Sequence, residues 1–165
     1  SISISAEDDE YLIVKLENGR KREFQIRLIE SSQSPQQVPK LALDSKIVID
    51  KGVFEDTLND VGAVADHITI ETNNDEIKFI GNGDAGKAEI TLNKSDEGVS
   101  EISSKVESKA TYSLQYLLSI LKAIGTTAET INIEYSNKMP FKIEFRLGEV
   151  GGYINFYLAP RIDDR

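Results

Sequence analysis

Apolar and polar residues alternate along most of the chain, with Ile and Val on one parity and charged residues on the other, the pattern of half-buried antiparallel strands. The alternation predicts strands at Ile2 to Ala6, Tyr11 to Glu17, Arg22 to Ile29, Lys46 to Asp50, His67 to Glu71, Glu76 to Ile80 and Lys87 to Leu92. A second group follows at Lys105 to Ala110, Thr130 to Tyr135, Phe141 to Leu147 and Tyr153 to Leu158. Helical spacing occurs in two places: Phe54, Leu58, Val61 and Ala65, then Leu114, Leu117, Leu118 and Leu121. Thr111 and Ser113 are placed to cap the second helix, and Gly125 suits its C-terminal stop.

Read in order, residues 46–92 give strand, helix, strand, strand, strand, and residues 105–158 repeat that order. The chain is therefore an internal duplication of a βαβββ unit, an α+β arrangement. Residues 2–29 supply three strands with no helix before them, like the tail of a third copy. The expectation is that the chain begins inside a longer protein, a naturally short relative being the alternative. Ser31 to Asp44 contains SSQSPQQVP and no alternation until Leu41, which marks a connector of unusual length.

Composition narrows the chemistry. Among 165 residues there is no cysteine, which removes disulfides, thiolate metal sites and cysteine nucleophiles, and His67 alone cannot supply a two-imidazole metal site. No apolar run approaches the ~18–20 residues of a membrane-spanning helix, so no membrane partner is expected. The net charge of −9 argues against a simple basic nucleic-acid binder, but says nothing of one locally positive face.

Tempting motifs have plainer readings. Gly81, Gly83 and Gly86 fit GxGxxG, yet Lys87 to Leu92 alternates like a strand, whereas a phosphate loop must open a helix; a hairpin turn is predicted instead. The acidic clusters Glu7 to Glu10, Asp96-Glu97 and Asp163-Asp164 lack the spacing of a calcium loop and read as solvated turn charge. His67 opens a strand with no nucleophile pattern around it and reads as structural or exposed. No catalytic constellation, metal site or cofactor is indicated.

The C-terminal run Gly152-Tyr153-Ile154-Asn155-Phe156-Tyr157-Leu158-Ala159-Pro160-Arg161-Ile162 resembles the ending of sliding clamps of the proliferating-cell-nuclear-antigen family. The helix TYSLQYLLSILKAI, the strand in KMPFKIEF, the connector with Val38-Pro39, and Asp66 after the first helix agree in the same order. The resemblance implies the DNA-clamp fold, with antiparallel sheets outside and two helices on the inner face. Residues 1–30 would be the last three strands of a first clamp domain, 31–45 the interdomain connector and 46–165 a second domain.

It also implies a non-enzymatic, ring-forming processivity factor, a trimer in the family. Its ring holds double-stranded DNA topologically rather than by sequence, and tethers DNA polymerase, flap endonuclease, DNA ligase and the clamp loader through client peptides. The implied peptide pocket is Val38, Pro39, Ser113, Tyr116, Pro140, Tyr157, Leu158, Ala159, Pro160 and Ile162, with Gln36 a more polar departure. Leu158 reads equally well as core. Implied DNA-facing lysines are Lys122, then Lys51, Lys109 and Lys105, although Glu55, Asp56, Asn59 and Ala63 stand where relatives usually carry basic residues. The implied subunit interface joins Phe24 and Ile26 to Lys87, Ala88 and Ile90 of a neighbour. A clamp-like peptide-binding scaffold that does not encircle DNA is the alternative.

Overall fold

The computed structural model describes residues 1–6, 10–29, 40–148 and 151–162, and separates into two compact units, Ser1–Lys40 and Leu41–Arg165. In the first, β1 (Ile2–Ala6), β2 (Tyr11–Glu17) and β3 (Lys21–Arg27) form an antiparallel sheet in that order. Its register aligns Ile4 with Val14 and Val14 with Phe24, and Ala6 with Leu12 and Leu12 with Ile26, so one face is almost wholly apolar. That face is open: Ile2 is 71% exposed, Ile4 64% and Ile26 52%. The last strand stops at Arg27, two residues short of the predicted Ile29.

The second unit runs β4 (Ser45–Asp50), α1 (Lys51–Gly62), β5 (His67–Thr72), β6 (Glu76–Gly83), β7 (Gly86–Asn93), β8 (Val99–Ser104), β9 (Ser108–Ser113), α2 (Leu114–Ile124), β10 (Thr130–Tyr135), β11 (Phe141–Leu147) and β12 (Gly152–Leu158). One sheet has the order β12-β11-β10-β4-β8 and the other β7-β6-β5-β9. The duplicated units are interlocked: β4, the first strand of one, pairs with β10 of the other, and β9 returns the exchange by pairing with β5. Neither repeat can therefore complete its own sheet.

One strand escapes the alternation pattern. β8 turns only Val99 and Ile102 inward as apolar residues; its third inward position is Ser104, which meets Ser45 Oγ at 2.6 Å. A bulge against β4 between Val48 and Ile49 also breaks the period. The strand predicted at Lys105 to Ala110 lies at Ser108–Ser113 instead, because Ser108, Ala110 and Tyr112 are the inward set and Lys105 belongs to the preceding turn.

Both sheets and both helices share one core. Phe54 of α1, Tyr112 of β9 and Phe141 of β11 meet at its centre, with Tyr112 and Phe141 ring centroids 4.9 Å apart. The buried Tyr hydroxyls are partnered: that of Tyr112 donates to the Met139 carbonyl at 2.8 Å, and that of Tyr135 meets Thr72 Oγ1 at 2.6 Å. Side-chain capping of α2 does not occur. Thr111 is bonded to Thr69 across the sheet, and the Leu114 amide is taken by the Asp66 carbonyl at 3.1 Å. Gly125 does end the helix, at φ +55°.

The GxGxxG glycines serve packing. A Cβ on Gly81 would lie 2.6 Å from Val61 Cγ1, and one on Gly83 only 2.0 Å from the Val64 carbonyl oxygen, so both let β6 press against the end of α1. Gly83 and Gly86 are the last pair of the β6–β7 hairpin.

Candidate functional site

Sheet register brings much of the predicted peptide surface into one neighbourhood. Phe141 is paired with Leu158, so Pro140 and Ala159 leave the β11–β12 ladder side by side. The tail beyond β12 then crosses to the other sheet, where the Arg161 amide donates to the Thr111 carbonyl at 2.7 Å. Thr111 lies two residues before Ser113 on β9, and Tyr116 sits in the first turn of α2, 62% exposed. Tyr112, between Thr111 and Ser113, is bonded to the residue preceding Pro140. Ser113, Tyr116, Pro140 and Ala159 to Ile162 are thus gathered where the C-terminal tail closes the seam between the sheets.

The tyrosine and leucine of the YLAP motif part ways. Leu158 turns inward and packs, half-buried, on the core, whereas Tyr157 stands beside Lys142 on the outer face. Ile162 is 78% exposed. Val38 and Pro39, like most of the predicted connector, lie outside the described residues.

The outer face beside Tyr157 is a row of charges across neighbouring strands. Lys142 bonds Glu134 at 2.8 Å and Glu144 at 3.2 Å. Burial would lower its pKa, but the two carboxylates more than offset this and hold the ammonium above its ordinary range. Glu101 bonds Lys46 at 2.6 Å, and that bond draws its carboxyl below the usual range despite partial burial.

The predicted DNA-facing lysines separate into different settings. Lys122 is exposed in the last turn of α2, where a cation also suits the helix dipole. Lys51 is mostly covered and paired to Glu55 one turn on, at 3.0 Å. Lys109 projects from the solvent face of β9, opposite the face on which the helices pack, and bonds Glu71 at 2.7 Å. Lys105 is exposed in the β8–β9 turn. Of the four, only Lys122 lies on a helix without a carboxylate partner among the described residues.

Both predicted interface strands are sheet edges: β3 in the three-stranded sheet and β7 in the four-stranded one. Phe24 and Ile26 lie on the open apolar face, 48% and 52% exposed. Ala88 and Ile90 are half-buried, Ile90 packing on the core, and Lys87 is exposed and bonded to Glu89 at 2.7 Å.

Two features lay beyond the sequence reading. His67 is within hydrogen-bond distance of the Arg161 guanidinium, and Lys138 lines a cleft beside the tail; its adjacency to a turn before Met139-Pro140 was the available signal.

Comparison with known proteins decides the relationship. Residues 37–161 match the family described as "Proliferating cell nuclear antigen, C-terminal domain". The chain belongs to the proliferating cell nuclear antigen family. It is 44% identical over 163 residues to the DNA polymerase sliding clamp of Nitrosopumilus maritimus, covering 99% of this chain and 64% of that protein. It is 39% identical to that of Cenarchaeum symbiosum, covering 98% and 64%. The chain thus spans 64% of the length of these curated relatives. A crystal structure of PCNA from Thermococcus kodakaraensis superposes with a TM-score of 0.87 at 20% identity, over 97% of this chain and 65% of that one. The α+β arrangement of antiparallel sheets and two helices is therefore a PCNA-like clamp fold. Among the described residues no helix is long and apolar enough to cross a membrane.

Proposed function

We propose that this chain is part of a DNA sliding clamp subunit, a non-enzymatic processivity factor whose ring encircles DNA and presents a pocket for client peptides. In this reading residues 1–30 are the end of a first clamp domain, 31–45 the connector and 46–165 a second domain. The open apolar face of β1–β3 supports it, because a sheet face carrying Ile2, Ile4 and Ile26 in water fits a domain whose remainder would cover it.

The observation that carries the reading is that β3 and β7, the two strands it pairs between neighbours, are both among the six edge strands of the described sheets. Two complementary edges on one chain allow head-to-tail pairing, which closes a ring when the rotation permits. DNA held inside a ring needs no base contacts, so an overall charge of −9 is compatible with it. Lys122 is the residue of this segment best placed to meet phosphate. The exposed acids of α1, Asp56 and Asp60, leave little other attraction here.

The client surface is the gathering of Ser113, Tyr116, Pro140, Tyr157, Ala159, Pro160 and Ile162 around the tail, with Leu158 anchoring it from below. Exposed aromatic and aliphatic groups beside rigid prolines suit a short peptide presenting apolar anchors. DNA polymerase, flap endonuclease, DNA ligase and the clamp loader are the clients this reading names.

Retention on circular DNA tests the ring. A clamp stays on a closed circle through a high-salt wash and is lost when the circle is cut. Equal retention on circular and linear DNA, or none on either, favours the peptide-binding scaffold.

A further inference from the structure

The tail that borders the client surface also walls a second cleft. It has a volume of about 460 Å³ and is lined by Lys109, Ala110, Thr111, Asn137, Lys138, Arg161 and Ile162. Among the described residues, three of the lining are cationic and none is acidic, on a chain of net charge −9. Lys109 is partly neutralised by Glu71 at 2.7 Å, but Lys138 is exposed and has no ion pair among the described residues.

The backbone at Lys138 adds a second observation. Lys138 lies in the turn between β10 and β11, closed by the Met139 amide on the Ser136 carbonyl at 3.1 Å, and has φ +54°. Among the described residues it is the one non-glycine with positive φ. Glycine or asparagine fits that conformation with less strain. A lysine kept there places a cation where a more relaxed turn would place none, and such outliers point toward use of the side chain.

We propose that this cleft receives acidic residues flanking the apolar anchors of a client peptide. The inference rests on the client-peptide reading above and adds to it the chemistry of the flank. Arg161 and Ile162, which line the cleft, directly follow Ala159 and Pro160 of the client set. A peptide seated on Tyr157 and Pro160 therefore needs only a few more residues to reach Lys138. Carboxylates there meet a lining that carries three cations.

The test compares labelled peptides with identical apolar anchors whose flank, at one end or the other, is acidic, neutral or basic. They are titrated against the full chain, Lys138→Glu and Lys138→Gly in low and high salt. The proposal expects an acidic flank at one end to tighten binding about tenfold over the neutral peptide, with the gain lost in high salt and in both variants. Lys138→Gly relieves the positive φ, so it should melt no lower than the parent while losing the discrimination. That separates a binding role from a structural one. Neutral-peptide binding with no effect of flank charge overturns this inference and leaves the client surface standing. Failure of every peptide to bind overturns both. Displacement of the acidic peptide by short duplex DNA would assign the cleft to phosphate and overturn the proposal as well.

Discussion

One guanidinium nitrogen of Arg161 lies 2.9 Å from His67 Nδ1 and 2.8 Å from Nε2. Arginine can only donate, so the bond goes to whichever ring nitrogen carries no proton. His67 opens β5 directly after Asp66, whose carbonyl holds the start of α2, so one short segment supports both the helix and the tail.

This contact predicts what replacements at His67 do. His67→Gln keeps an acceptor within reach of the guanidinium and leaves the tail fastened. His67→Lys removes the acceptor and sets like charges together, loosening the tail by about 0.5–1 kcal/mol, within the net worth of an ordinary hydrogen bond. Amide exchange at Arg161, whose N–H is bonded to Thr111, should quicken two- to fivefold in the Lys variant only. Equal exchange in both would place the hold elsewhere.

Packing of β6 against α1 depends on Gly83. Gly83→Ala drives a methyl into the Val64 carbonyl, and the expected loss is about 3 kcal/mol, the upper end of overpacking costs. Gly86→Ala meets no atom within 4 Å, but its φ of +144° makes it a backbone penalty alone. Chemical denaturation should rank Gly83→Ala as the more damaging.

Alkaline stability follows from the buried tyrosines. Burial pushes the hydroxyl pKa of Tyr135 well above its ordinary value, the Thr72 bond opposing this only in part, and burial does the same at Tyr112. The folded state thus holds these protons longer than the unfolded state. Their contribution is complete below about pH 10, the ordinary tyrosine range, and is lost as pH rises beyond it. Lys142, also raised, has the same sign. Thermal melts from pH 8 to 11 should fall steeply above pH 10. Tyr135→Phe should lower the neutral melting point, through the lost Thr72 bond, yet flatten the alkaline fall.

Lys122 and Lys51 should differ toward DNA. Removing a phosphate contact reduces the salt dependence of binding by about 0.9 per contact, so Lys122→Gln should lower the slope by nearly one. Lys51→Gln should leave the slope unchanged and cost about 0.3–0.5 kcal/mol of stability through its Glu55 partner. Binding isotherms across salt concentrations separate the two.

Strand and helix periodicity was readable because inward positions are occupied by Ile, Val, Phe and Leu nearly throughout. It failed at β8, where Ser104 does an apolar residue's work through a bond to Ser45 and a bulge shifts the phase. The exchange of β4 and β9 between repeats leaves no local trace, since pairing partners are far apart in sequence. The YLAP run pointed to the proposed client surface, but alternation alone implies that Tyr157 and Leu158 face opposite ways. The ion pairs that occupy Lys51 and Lys109 were only half visible: Glu55 stands one helical turn from Lys51, whereas Glu71 reaches Lys109 across a sheet.

The most direct test of the clamp reading is fluorescence anisotropy of a labelled client peptide, a glutamine followed by aliphatic and paired aromatic anchors, titrated against the chain and Tyr157→Ala. Saturable binding in the micromolar range, about −8 kcal/mol, that Tyr157→Ala abolishes is the predicted result. No binding by a chain that melts cooperatively, or binding that Tyr157→Ala leaves intact, contradicts it.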